Sequence, residues 1–539
     1  MNGMDPAGSL FRRFFSLRSS PWQRWYYLVP SVLVVIGVLV PLFYLTRRAF
    51  QAETSTLFDV VFTSNTALLL ANTMGLGVGV LICSTIISLP LAWLTTRIDF
   101  PFRRLVTIFC VLPLAIPGYV MAYVLLSSTG TYGTLARWFG LVLPRGSGYG
   151  GALIALTLST YPYLFLNLRT ALMGMDLSLE ESAQSLGAGR WEVFWRVTVP
   201  QLRPAFLAGG LLVSLHVLSD FGVVSLMRFK TFSYALYIQY TASYDRIYAA
   251  WLALILILIS IGILLLEASL LKDMFFHSND TVRKNQPVAR TRKNTPRLIL
   301  FGFAAMVIFS SVLLPVYTIC YWMGEPSFQS LWQGFFTNSL WNSFSVSAGS
   351  SILAALLALP VAYLGVRKQT YSSQFIERVA YLGYATPRLA LALAWIVFTL
   401  AVLPWLYQSF ALLLIVYSLN FMAEAIGPIR STLYQIPPTV EEAARSLGSG
   451  SLRLFRKIIF PLLKRGWGVA MALVFLSVMK DLPIALLLSP PGFQTLATRT
   501  WGFAEEAMFS SAAPYALSIV IVSSCFIGFL LREYEDPSQ

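Results

Sequence analysis

Apolar residues are gathered along this chain into twelve long runs separated by shorter polar segments. The runs fall at roughly 27–46, 68–94, 105–128, 150–172, 205–227, 248–271, 298–322, 342–366, 379–402, 409–430, 466–488 and 512–531. A helix needs about 20 apolar residues to cross the hydrocarbon core of a bilayer, so each run predicts one transmembrane helix. Pro90, Pro117 and Pro360 lie inside runs. Neighbouring helices can satisfy the backbone groups that a proline frees, so these residues do not interrupt the assignment. The pattern predicts an all-α polytopic membrane protein with twelve transmembrane helices.

Composition agrees. Of 539 residues, 57% are hydrophobic and 12% charged, against about 25% charged in a soluble domain. The net charge of +15 raises the question of a nucleic-acid partner, and the distribution of that charge answers it. With the N-terminus inside, 29 of the 39 lysines and arginines fall in the two tails, the loops after even-numbered runs and the adjoining run ends at Arg169 and Arg430, and eight fall in the outer loops. This is the positive-inside asymmetry. It predicts cytoplasmic N- and C-termini and no nucleic acid. Arg47 and Arg48 depart from it, at the start of the outer loop after the first run. The basic, aromatic N-terminal segment resembles the start of a signal peptide, but no small-x-small cleavage site follows. It reads as an uncleaved first span with Trp22, Trp25, Tyr26 and Tyr27 as an interfacial belt. Cys83, Cys110, Cys320, Cys525, His216 and His277 are scattered and form no metal or disulfide motif. No Gly-Lys dipeptide occurs, so no Walker A loop is present to cradle a nucleotide. No cofactor is expected, and neither is enzymatic activity in this chain.

The chain is duplicated. EESAQSLGAGRWEVFWRVTVPQLRP (180–204) and EEAARSLGSGSLRLFRKIIFPLLKR (441–465) agree at ten of 25 positions without gaps. LPLAWLTTR (89–97) precedes LPVAYLGVR (359–367) by 270 residues, an offset shared by Asn72 with Asn342 and Pro117 with Pro387. Arg169 with Arg430 and Asp220 with Asp481 share the offset of 261. The halves are 1–271 and 298–539, joined by a polar, basic linker at 272–297 that is expected in the cytoplasm. Six spans is an even number, so the two six-helix repeats are parallel. Both copies of the polar segment then face one compartment, about a pseudo-two-fold axis, which suits a partner that is itself a dimer.

Each polar segment predicts a short helix. Ser178 and Thr439, three residues before Glu181 and Glu442, fit a capping box, and Pro437 and Pro438 discourage helix ahead of the second cap. Gly187 and Gly448 can end the helices at positive φ. A second amphipathic helix follows at 190–199 and 451–460, expected to close at Pro200 and Pro461. Helices lying on the membrane surface would share this pattern. Two copies with the same turns instead suggest a rigid docking knob, with Ala183 and Ala444 allowing close approach.

The residues Glu181-Ser182-Ala183-x-x-x-Gly187…Pro200 and Glu442-Ala443-Ala444-x-x-x-Gly448…Pro461 resemble the cytoplasmic EAA loop of bacterial ABC importer permeases. Ser182 is a mild departure from that pattern. The resemblance covers nearly the whole chain. It implies the type I ABC importer permease fold and a bacterial inner-membrane location. It also implies coupling helices, carried by Glu180, Glu181, Ala183, Gly187 and by Glu441, Glu442, Ala444, Gly448, that seat in a cleft of a separate ATPase. Two copies of an ABC ATPase subunit and a periplasmic solute-binding protein follow as partners, with membrane lipid around them. The fused two-half layout, and the stretches at 219–240 and 480–504, are similar to permeases of ferric iron importers. Thiamine importers are close relatives.

Ionisable residues inside spans are functional candidates. Asp220 and Asp481 sit at equivalent positions in the fifth span of each half, and Glu424 and Asn420 lie in the tenth span. Ferric iron is a hard cation that takes oxygen ligands, so these four residues are candidates for the substrate pathway. The alternative for Asp481 is an ion pair with Lys480 that stabilises a bent helix. Arg169 and Arg430 are expected to anchor the ends of the fourth and tenth spans. An ion-driven secondary transporter would share the twelve spans, but would not need paired coupling loops.

Overall fold

The computed structural model describes residues 21–51, 63–175, 177–242, 246–275, 297–324, 335–368, 370–447 and 449–535. Of the linker expected at 272–297, residues 276–296 lie outside the described residues, as do the side chains of the aromatic belt at Trp22, Trp25, Tyr26 and Tyr27. Among the described residues every regular element is helical. The first half contains α1 (Pro21–Ala49), α2 (Ser64–Arg97), α3 (Arg103–Val111), α4 (Gly118–Ser128), α5 (Gly148–Gly174), α6 (Ser178–Ser185), α7 (Val199–Ser219), α8 (Gly222–Leu226), α9 (Phe232–Thr241) and α10 (Arg246–Phe275). The second half repeats the order. It begins with α11 (Arg297–Ile308), which runs through a π segment, Phe309–Leu313, into α12 (Leu314–Met323). Then come α13 (Phe335–Arg367), α14 (Tyr371–Ala385), α15 (Arg388–Val402), α16 (Phe410–Gln435), α17 (Pro438–Ser446), α18 (Phe460–Lys480), α19 (Pro483–Leu488), α20 (Leu496–Glu505) and α21 (Phe509–Glu535).

Among the described residues ten helices are long and apolar enough to cross a membrane, and twelve spans result if two bent pairs each count as one: α3 with α4, at 94°, and α14 with α15, at 107°. The bends follow from the landmark prolines. Pro117 and Pro387 stand just before α4 and α15 in extended backbone, and Ile116 and Thr386 before them are extended as well. A proline lacks the N–H of the helical ladder and pushes its predecessor out of the helical region. The first bent pair nonetheless spans the bundle. At its start, the Arg103 guanidinium donates to the Thr95 carbonyl at the end of α2. At its finish, Thr129 accepts from the Gly146 N–H beside the start of α5. The 27 residues of α5, about 40 Å of helix, then return to Met175, whose sulfur lies 3.4 Å from Arg97.

The fifth span of each half differs from the expectation at both ends. It is not closed off by Pro200 or Pro461. A helical turn (Arg190–Val193, Ser451–Leu454) passes through a π segment (Phe194–Thr198, Phe455–Ile459) straight into α7 or α18. In both, the N–H just before the proline reaches five residues back, Val199 to Phe194 and Phe460 to Phe455. This widened turn gives the proline ring room against the carbonyls beneath it. The other end stops early. α7 ends at Ser219 and α18 at Lys480, with Asp220 (φ −75°, ψ 128°) and Asp481 (φ −74°, ψ 129°) in extended backbone. The two aspartates thus lie at breaks, not inside helices.

The first span of each half packs against the other half. Val34 and Val38 of α1 belong to the buried cluster formed by α13–α16 and α18. Ala304, Val307 and Ile319 of α11 and α12 belong to the cluster built on α2, α4 and α5. In lipid, helices associate through close packing of small residues and hydrogen bonds, not through hydrophobic expulsion from water. Gly466 shows how close: a Cβ there would come within 2.1 Å of Thr432 Oγ1 and 3.0 Å of the Pro428 carbonyl, whereas one at Gly468 would meet nothing within 4 Å. Gly466→Val should therefore force α18 off α16, at a cost of about 1–3 kcal/mol, and lower the unfolding temperature of the detergent-solubilised chain. Gly468→Ala should leave it unchanged.

Candidate functional site

The two breaks meet in the middle of the bundle. Each aspartate turns its carboxylate onto the next short helix: Asp220 Oδ1 accepts from the Val223 N–H at 2.8 Å, and Asp481 Oδ2 from the Ile484 N–H at 3.1 Å. Aspartate competes with helical hydrogen bonding in this way, which is why the span stops there. Between the halves lies a cavity of about 50 Å³, lined by His216 and Asp220 from α7, Ser477 and Lys480 from α18, Glu424 from α16 and Arg388 from α15, with Tyr163 and Tyr384. That volume holds a few waters at most.

The charges inside are tied to one another. Arg388 Nε lies 3.4 Å from Asp481 Oδ1, and its guanidinium sits over the Phe421 ring. Lys480 does not pair with Asp481. Its Nζ donates to the Leu114 carbonyl of the first half at 2.9 Å, while Ser477 Oγ donates to Glu424 Oε2 at 2.6 Å. Asp481 turns to Arg388 because its carboxylate caps α19 on the far side of the break from the lysine. Asp220 and Glu424 line the cavity. Asp481 is buried behind it. Asn420 is buried elsewhere, with its amide donating to the Gly383 carbonyl at 2.9 Å. Among the described residues no group of three His, Cys, Asp or Glu side chains could hold a metal ion.

The duplication explains where these residues come from and shows that the symmetry is broken. At the 270 offset, Arg388 corresponds to Gly118 and Tyr384 to Leu114. At the 261 offset, Glu424 corresponds to Tyr163, Ser477 to His216 and Lys480 to Ser219. Only the aspartates are charged in both halves. In the sequence Arg388 and Lys480 stand out merely as basic residues within spans. The register of the repeat was the signal that could have placed them opposite Asp220.

At the Arg97 end of the bundle the two repeated helices α6 and α17 are held by matching ion pairs. Arg97 Nη2 meets Glu180 Oε1 at 2.9 Å, and Thr198 Oγ1 donates to the same oxygen at 3.0 Å. Arg367 Nε meets Glu441 Oε1 at 2.8 Å, Tyr363 donates to its other oxygen at 2.9 Å, and Arg367 also reaches the Ile436 carbonyl. All four charged side chains are largely buried. The arginines end the LPxAxLxxR repeats, a link between the two sets of landmarks that sequence reasoning missed. Glu180 and Glu441 therefore face inward, while Glu181 and Glu442 face solvent. Ala444 is also turned inward, into the second-half cluster, and Ala183 is half-buried. Just past the ends of α6 and α17, Leu186 and Leu447 are 89% and 85% exposed. Gly187 ends α6 at φ 90°; Gly448 lies outside the described residues.

The capping boxes do not form as expected. α6 starts at Ser178 after Leu177, with no side-chain cap hydrogen bond. α17 starts at Pro438, placing Thr439 inside the helix. Pro438 opens the helix instead of discouraging it, since a proline at the first position loses only an N–H that would have no helical partner.

Comparison with known proteins sets this architecture in a family. Residues 84–270 and 350–538 each match the binding-protein-dependent transport system inner membrane component family. The chain belongs to that family. The permease is 31% identical over 506 residues to the Fe(3+)-transport system permease protein FbpB 2 of Haemophilus influenzae, covering 93% of this chain and 97% of the relative. It is 23% identical over 481 residues to the ferric transport system permease protein FbpB of Actinobacillus pleuropneumoniae, covering 85% and 70%. It is 36% identical over 135 residues to the molybdenum transport system permease protein ModB of Escherichia coli, covering 24% and 58%. The permease is thus a multi-pass protein of the inner membrane with the type I ABC permease fold. Membership implies association with an ATPase and a solute-binding protein.

The anchors of α6 and α17 can be tested directly. Arg367→Met leaves the buried Glu441 without its cation, a change that typically costs about 3–5 kcal/mol. Hydrogen exchange should become faster in α17 and stay unchanged in α6. Arg367→Met combined with Glu441→Gln should recover part of the protection.

Proposed function

We propose that the permease imports ferric iron, handed over by a periplasmic binding protein and driven by two copies of a separate ATPase docked on α6 and α17. The observation that carries the reading is the full-length similarity to an Fe(3+)-transport permease, joined to two surface helices that are each anchored by a buried Arg–Glu pair and followed by an exposed leucine. An apolar tip on a helix fixed by buried ion pairs suits a cleft in a partner protein. Both helices face the cytoplasm in this reading, and so do both termini, in keeping with the excess of lysine and arginine in those segments. Closure of the ATPases would move the two helices together. α7 and α18 would carry the displacement to the breaks at Asp220 and Asp481 and open the cavity between the halves. Driving such a switch from 1:99 to 99:1 takes about 5.5 kcal/mol. Asp220, Asp481 and Glu424 would offer oxygen ligands to iron in the opened state, while Asn420, whose amide is held on the Gly383 carbonyl away from the cavity, would pack the bundle.

A second reading rests on Arg388 and Lys480, whose positive charges reach the cavity and suit an oxyanion. Molybdenum and sulfate permeases are among the partial relatives. Uptake of labelled ferric iron, molybdate, sulfate and thiamine by cells with and without the chain separates these cargoes. For iron, Asp220→Asn should depress uptake more than Lys480→Met; for an oxyanion the order reverses. Gly187→Val forces a branched side chain into positive φ, a conformation such residues rarely adopt. It should uncouple ATP use from uptake of any cargo while the chain still reaches the membrane. Normal uptake by that variant would count against docking at α6.

A further inference from the structure

The opposite end of the bundle holds a second cavity, unrelated to the coupling helices. It is a groove of about 300 Å³ between the end of α1, the end of α9 and the outer half of α15. Tyr44, Arg47, Arg48 and Tyr240 surround its mouth, and Ile396 and Leu400 form part of its wall. Arg47 and Arg48 are an adjacent pair among the eight basic residues of the outer loops. Neither pairs with a carboxylate among the described residues; Arg48 donates only to the Gln51 side-chain oxygen, at 2.7 Å. Their backbone is held in place, because Trp251 Nε1 donates to the Ala49 carbonyl at 2.8 Å and the Phe50 ring packs edge-on against Trp251.

We propose that this groove binds one acidic phospholipid from the leaflet opposite the anchored helices α6 and α17. The chemistry is graded as a lipid requires. Two guanidiniums at the groove match a phosphate with paired N–H donors, the tyrosines beside them are of the type that favours headgroup depth, and the aliphatic wall of α15 would flank an acyl chain. Basic pockets between transmembrane helices are suited to acidic headgroups. The pseudo-symmetric region beside α12 and α4 is built differently. There Trp322 packs on Phe509, the Tyr123 hydroxyl donates to the Phe509 carbonyl, and Arg137 is spent on Tyr321 and Trp322. A lipid phosphate also accounts for an arginine pair on the side of the membrane where such residues are disfavoured.

The test uses the full-length chain, delipidated in mild detergent and titrated with phosphatidylglycerol or phosphatidylcholine. Bound lipid is counted by native mass spectrometry and thermal stability is followed in parallel. Wild type should bind one phosphatidylglycerol selectively and unfold at a higher temperature with it. Arg47→Gln combined with Arg48→Gln should weaken that binding on the order of tenfold or more. Leu400→Trp, which fills the wall but keeps both arginines, should weaken it too, and Arg137→Gln should not. Equal binding of phosphatidylcholine, or unchanged phosphatidylglycerol binding in both groove variants, would overturn the proposal. So would displacement of the lipid by inorganic phosphate alone, which would mark a simple anion site. If the double variant instead lost affinity only for the solute-binding protein, the arginines would belong to a protein interface and the lipid site would be rejected.

Discussion

The structure depends on keeping two interrupted helices intact at membrane depth. Lipid offers no hydrogen bonds, so an unwound backbone is tolerated there only when protein surrounds it. At Asp220 and Asp481 the aspartate carboxylate supplies what the helix gives up, accepting from an N–H of the short helix beyond. The surrounding packing does the rest. Gly222 lets Tyr119 and Leu482 close over the first break from opposite halves; a Cβ there would lie 2.8 Å from Tyr119 Cβ. The cavity exists because both interruptions fall at the same depth and meet at the interface between halves.

The same two helices join that cavity to the surface. From Arg190 to Ser219, and from Ser451 to Lys480, the chain is helical throughout, with a π turn but no loop. That is about 45 Å of continuous helix, reaching from the anchored ends of α6 and α17 to the aspartates. The buried pairs Arg97–Glu180 and Arg367–Glu441 tie the surface helices to α2 and α13. Each surface helix is thereby tied to the bundle through a buried ion pair.

How much of this the sequence disclosed varies with the kind of interaction. Spans were legible because a bilayer demands long apolar runs, and the repeat was legible because its landmarks recur in register. The bends at Pro117 and Pro387 were not read, since hydropathy is the same for a straight helix and a broken one. The exchange of first spans between halves was invisible, because α1 and α11 show lipid and protein equally apolar faces. Among site residues, Asp220 and Asp481 were singled out for their charge, yet their role as breakpoints depends on φ and ψ. The capping boxes at Ser178 and Thr439 were misread because each helix begins earlier than the motif implies. Nor was it legible that the first Glu of each pair is taken by a distant arginine. That pairing joins landmarks of different offset, which only tertiary structure can bring together.

The fused chain also permits something that two identical subunits could not. In a homodimer each cavity residue would appear twice, face to face across the axis: two Arg388 guanidiniums, two Lys480 amines and two Glu424 carboxylates in a space of about 50 Å³. One gene carrying both halves frees each position to diverge, so Gly118 can stand opposite Arg388 and Tyr163 opposite Glu424. Gene fusion here releases the lining from symmetry, and lets Arg388, Lys480 and Glu424 each stand once where a symmetry-related copy would repel it.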